Sequence, residues 1–112
     1  MQFALLYRYD PTVASPTEAE IADWMTFDEK LRAADVFVHE AGFHGRDEGR
    51  VVRVRDGATV VEQEHAEPAA YTVAGYYVVD VVDVDAATEI AAQIPTATYG
   101  YVEVRQVVDF TG

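Results

Sequence analysis

Cysteine is absent from this chain of 112 residues, which excludes disulfides, thiolate metal sites and cysteine nucleophiles. Serine occurs once, as Ser15 beside Pro16. That context suits a helix cap better than a nucleophile. No apolar run approaches the roughly 18 residues of a membrane span, and no basic start with an apolar stretch suggests a signal peptide. There is no glycine-rich phosphate loop, no Gly-x-Ser-x-Gly elbow and no dinucleotide fingerprint, so no cofactor is expected. Repeats, low-complexity tracts and long like-charge blocks are also missing, which leaves a single domain over residues 1–112. What the chain does have is acid. Twenty Asp and Glu face eight Lys and Arg, for a net charge of −12, and only Lys30 among the bases is not arginine. Such a surface repels phosphate backbones and anionic lipid, so neither nucleic acid nor membrane is an expected partner. A soluble, cytoplasmic protein is the expectation.

Residues Gln2 to Tyr9 alternate as a strand, with Phe3, Leu5 and Tyr7 on one side and Ala4, Leu6 and Arg8 on the other. Apolarity on both sides marks it as central. Ser15-Pro16-Thr17-Glu18 reads as a capping box, starting a helix that runs to about Ala34. Its stripe is Ile21, Trp24, Leu31 and Ala34, widened by Met25 and Phe27. Val36 to Phe43 is a second strand, with Val36, Val38 and Glu40 opposite Phe37, His39 and Ala41. Residues 51–55 and 58–61 flank Asp56-Gly57, a hairpin signature. Thr72 to Val82 is a further strand, in which Gly75 permits close approach. Asp83 or Asp85 caps a second helix to about Ile94, ended by Pro95. Tyr99 to Val108 closes the chain as a strand, with Val102 and Val104 opposite Tyr101, Glu103 and Arg105.

The order β-α-β-β-β-β-α-β predicts an α+β fold. It is a ferredoxin-like antiparallel sheet with two helices on one face and an added β-hairpin. The other face then mixes large and charged residues. A sheet-against-sheet homodimer would bury it, with its charges paired or lining a cavity.

The chain resembles the YCII-related family, also called the DGPF-domain family, of the dimeric α+β barrel superfamily. The resemblance is carried by Phe3-Ala4-Leu5-Leu6-Tyr7, by Leu31-Arg32-Ala33-Ala34 before a valine-rich strand, and by Val52-Arg53-Val54-Arg55-Asp56-Gly57. It continues in Gly75-Tyr76-Tyr77-Val78-Val79-Asp80-Val81, Ala91-Ala92-Gln93-Ile94-Pro95 and Tyr99-Gly100-Tyr101-Val102-Glu103-Val104-Arg105. It implies a homodimer with a cleft between sheet and loops, and some relatives resemble small enzymes that use a His–Asp pair. The Asp-Gly-Pro-Phe signature would fall on Gln63-Glu64-His65-Ala66 and is not matched. A glutamate common before the glycine ending the second strand falls on Ala41, with Glu40 beside it.

Candidates for chemistry follow from the residue types. His65, with Glu64 beside it, is a candidate acid–base pair, because carboxylates set the charge and tautomer of an imidazole. An ordinary histidine in a solvated acidic loop is the plainer alternative. His39 is a second acid–base candidate. His39, His44 and His65 have no metal-ligand spacing, so no metal is expected. Tyr7, Tyr76 and Tyr101 could line a cleft for a small aromatic ligand, or could simply be half-buried strand tyrosines. Arg8 and Arg105 are candidate ligand contacts, and Glu103–Arg105 could equally be an ion pair across a dimer. The combined expectation is a small-molecule-binding dimeric domain, an accessory protein without the family's catalytic residues. The alternatives are a cofactor-independent enzyme acting on a small aromatic or polyketide-like substrate, and a structural homodimer.

Overall fold

The computed structural model describes residues 1–12, 17–62, 68 and 72–110. Six strands and two helices follow in the order β1 (Gln2–Arg8), α1 (Glu18–Ala33), β2 (Phe37–Gly42), β3 (Val51–Arg55), β4 (Ala58–Glu62), β5 (Val73–Asp80), α2 (Val84–Ala91) and β6 (Tyr101–Gln106). Short 3₁₀ turns occupy Arg46–Glu48 and Pro95–Thr98. Among the described residues the main sheet has the order β2-β5-β1-β6, while β3 and β4 pair only with each other. All pairings are antiparallel. With the hairpin set aside, this is the ferredoxin-like arrangement, and β1 is central as its two-sided apolarity requires.

The core lies between the sheet and the helices. Phe3, Leu5, Tyr77 and Val79 meet Phe27 and Leu31 of α1, and Ala87, Ala91 and Ile94 from the α2 region. The strand parity of β1 and β6 is as expected: Leu5 lies opposite Val104 and Tyr7 opposite Val102. Helix α1 departs from its expected stripe. Trp24, Phe27 and Leu31 turn inward, but Ile21 and Met25 are 54% and 62% exposed. Its cap is Thr17, whose hydroxyl accepts from the Glu20 amide at 3.2 Å. Thr17-Glu18-Ala19-Glu20 is an equally good capping box two residues beyond Ser15. Ser15 and Pro16 lie outside the described residues. Asp83 caps α2 by accepting from the Ala86 amide at 2.8 Å. The helix stops at Ala91, and Ile94 reaches the core from the turn beyond it. Asp56 and Gly57 have φ of 52° and 78°, the pair of positive values that a type I′ hairpin turn needs.

Strand β2 breaks its own alternation. Phe37 pairs with Val79, but the next pairs are His39 with Val78 and Glu40 with Tyr77, with a bulge between Phe37 and His39. The bulge puts Phe37 and Glu40 on the same, helix-covered face. His39 and Ala41 fall on the open face. Simple period-two counting had placed Phe37 with His39.

Candidate functional site

A groove runs between α1 and the sheet beside β2. It has a volume of about 520 Å³ and is lined by Ile21, Trp24, Met25, Asp28, Glu29, Glu40 and Tyr77. Helix spacing supplies one wall, because Ile21, Trp24, Met25 and Asp28 recur at three and four residues. Strand β5 supplies Tyr77, and the β2 bulge turns Glu40 inward to meet it. Trp24 and Tyr77 lie nearly parallel, with ring centroids 6.1 Å apart and planes at 15°. Tyr7 adds a further ring, 5.0 Å from Trp24.

A polar chain crosses the groove. Arg32 Nε donates to Asp28 Oδ2 at 2.8 Å, and Arg32 Nη2 donates to Glu40 Oε1 at 3.0 Å. The same guanidinium sits 4.2 Å over the Phe37 ring, a cation–π contact that fixes its orientation. Glu40 lies opposite Tyr77 across the β2–β5 pair, close enough to act on its phenol. Burial first, and then the Glu40 carboxylate, raise the Tyr77 phenol well above its ordinary value. Tyr7 is pushed up to about 12 by burial, with Glu40 and Tyr9 adding to it. Both phenols therefore stay protonated donors at neutral pH. Asp28 Oδ1 is buried and meets no donor among the described residues. A buried acceptor without a partner costs free energy, and here it belongs to a residue that lines the groove.

The residues singled out in the sequence divide between the two faces of the sheet. Tyr7 faces the helices, and its hydroxyl occupies the space that a side chain on Gly75 would fill. Arg8, Tyr101 and Arg105 share the opposite, open face with Tyr76 and His39. There Arg8 Nη2 lies 3.3 Å from Glu103 Oε1. The Tyr76 ring packs against His39 at 5.7 Å and Phe43 at 6.0 Å. Glu40 and Glu103 therefore lie on opposite faces and cannot serve one common group. His44 is exposed, 3.7 Å from Glu48. No group of three potential metal ligands occurs among the described residues. His65 and Glu64 lie outside those residues. Trp24, Asp28, Arg32 and the Tyr77–Glu40 pair were not selected from sequence. Trp24 read as a core position, and the approach of Glu40 to Tyr77 depends on the bulge.

The architecture is an α+β domain with a ferredoxin-like antiparallel sheet, two helices and an added β-hairpin, the sheet open within one chain. The chain belongs to the YCII-related domain family, which matches residues 1–111. Among solved structures it is similar to 5-chloro-2-hydroxyhydroquinone dehydrochlorinase (TftG) from Burkholderia phenoliruptrix AC1100, in complex with 2,5-dihydroxybenzoquinone. That likeness covers 99% of this chain and 97% of the other, with 10% identity and a TM-score of 0.60. At that identity it is a likeness of fold. No curated protein matches the chain by sequence. Among the described residues no helix is long and apolar enough to cross a membrane.

Proposed function

We propose that this chain is a homodimeric small-molecule-binding domain whose α1 groove takes a planar aromatic ligand bearing hydrogen-bond donors. The observation that carries the reading is the unmet Asp28 Oδ1 beside the rings of Trp24 and Tyr77. A flat ring would stack on the aromatic wall, and its hydroxyl or amine would donate to Asp28. Three carboxylates at the groove against the single Arg32 disfavour an anionic ligand. The quinone bound by TftG is also a planar oxygenated ring, but as a vinylogous acid it is anionic at neutral pH, so it parallels the stacking and not the charge of the ligand proposed here.

Trp24 is the only tryptophan, so its fluorescence reports on the groove directly. Titration with hydroquinone and catechol should give saturable quenching, and benzoate should not. Asp28→Ala should weaken binding by about tenfold or more, the effect of losing a hydrogen bond to a charged group. Quenching that does not saturate, or an unchanged affinity in Asp28→Ala, would overturn the assignment.

The homodimer rests on the open face. Leu6, Tyr76, Val78 and Ala41 form an apolar field there, with the Arg8–Glu103 pair, Tyr101 and Arg105 at its side. A two-fold partner would cover it and place Arg8, Tyr76, Tyr101 and Arg105 around a shared cleft. A monomeric mass at micromolar concentration would sink this part. A catalytic reading puts proton transfer on His39, or on His65 with Glu64, and the His39–Tyr76 contact favours it. Turnover that survives both His39→Ala and His65→Ala would remove those roles.

A further inference from the structure

The α1 groove is larger than a single ring needs. An apolar cavity of about 150 Å³ already holds benzene, whereas the groove has a volume of about 520 Å³, within the range that takes drug-sized ligands. Its two ends also differ in chemistry. Two rows of α1 side chains line it at four-residue spacing: Trp24 with Asp28, and Ile21 with Met25 and Glu29. The carboxylates of Asp28 and Glu29 therefore sit toward the C-terminal end of the helix, where Arg32 ties Asp28 to Glu40. Ile21 and Met25 hold the other end, and Ile21 lies roughly 10 Å from Asp28 along the helix axis. Both are bare: Ile21 is 54% exposed and Met25 62%. Scattered apolar side chains on a surface need no explanation. These two are neighbours on one row of the helix, and both border the same cavity as the Trp24 and Tyr77 rings.

We propose that the ligand of the α1 groove is an aromatic ring carrying a short alkyl arm on the side away from its hydrogen-bond donors, and that Ile21 and Met25 select the arm. The proposal rests on the groove reading above and names the class of ligand within it. With a donor at Asp28 and the ring against Trp24 and Tyr77, a substituent pointing away from the donor runs along α1 over Met25 to Ile21. There it covers apolar surface that is otherwise wet, which is favourable in proportion to the area removed from water. A substituent beside the donor is directed instead at the end that holds Asp28, Glu29 and Glu40, where it would take water from carboxylates.

The test is the quenching of Trp24 fluorescence by catechol and by two series of its methyl, ethyl and propyl derivatives, alkylated either para to a hydroxyl or beside one. Members of the two series are isomers, so they partition alike onto any unspecific apolar surface. Affinity should rise about two- to fourfold with each added carbon in the para series, the gain for a methylene that is partly to fully buried. In the other series it should stay level. In Ile21→Gln/Met25→Gln the para-series gain should vanish. Glutamine keeps good helix propensity, and circular dichroism reports the fold. Catechol that saturates, with no difference between the two series, overturns the arm and leaves the groove reading standing. A para-series gain that persists in the folded double variant overturns the assignment to Ile21 and Met25. Catechol that does not saturate overturns the groove reading and this proposal together. The two series are compared in the unaltered protein, so they decide the proposal even where the variant unfolds.

Discussion

At the scale of single residues, the helix-side face is organised around one missing side chain. A Cβ at Gly75 would run into the Tyr7 hydroxyl and, at 2.5 Å, into the Ala41 carbonyl oxygen. A backbone carbonyl in a sheet cannot yield as the tip of a flexible side chain can. Gly75→Ala should therefore cost about 1–3 kcal/mol, the usual effect of overpacking, read as a lower urea midpoint. An unchanged midpoint would mean that Tyr7 is not held against β5. The same tyrosine makes stability sensitive to alkali. Burial pushes Tyr7 up to about 12 from an ordinary value of 10.0, and Tyr77 is raised by burial and Glu40. The folded state binds these protons more tightly than the unfolded chain does. Their contribution is thus complete below about pH 10 and is lost as pH climbs through about 12. Denaturation followed across that range should show stability falling, while part of the native phenolate absorbance appears only well above the ordinary tyrosine range. One common titration near the ordinary value would contradict the buried setting. Gly75 was legible as a place of close approach. What approaches, the Tyr7 phenol, was not, because that depends on the register between β1 and β5.

Elements show where period counting succeeds and where it fails. Strands β1 and β6 form a regular ladder with each other, so alternation assigned their faces, including Val102 and Val104 toward the core. Strand β2 contains a bulge, and one irregular residue inverts the parity of the residues around it. That inversion is why the Glu40–Tyr77–Arg32 arrangement could not be read from the residue pattern, although all three residues stood in plain view. Helix α1 was found but its start was displaced, since two capping boxes overlap at its N-terminus. Its other end has an unusual residue in a helix-terminating role. Asp35 has φ of 60°, and its amide bonds back to the Arg32 carbonyl at 3.3 Å, as in a left-handed helix stop. Glycine adopts that geometry without the Cβ cost, and an acid beside a helix C-terminus opposes the dipole. Asp35→Gly should therefore stabilise the protein by about 0.5–1 kcal/mol. A higher thermal midpoint checks it, and a lower one would show that the Asp35 side chain makes a contact worth more than the strain.

For the whole molecule, the sequence carried the architecture and the family, because both rest on element order and on motifs spread along the chain. The groove was less legible, since it joins residues from α1, β2 and β5 whose meeting depends on tertiary register. The two faces of the sheet now have separate jobs to test. If the open face is where two copies meet, a charge placed at its centre must break the pair without unfolding the chain. Tyr76 is that position. It lies directly opposite Leu6 on β1 and Ala41 on β2, packs on His39 and Phe43, and points away from the core. In Tyr76→Glu the new carboxylate stays hydrated in a single chain, so the core and the α1 groove should be unaffected. In a dimer it would be buried without a partner, at a cost of roughly 2–5 kcal/mol, which raises the dissociation constant by about thirtyfold or more. Light scattering should then find a monomer at concentrations where the unaltered chain is a dimer, and ligand quenching of Trp24 should persist. A Tyr76→Glu protein that remains dimeric would move the contact off the sheet. A monomer that has also lost quenching would show that the groove is completed by the partner copy.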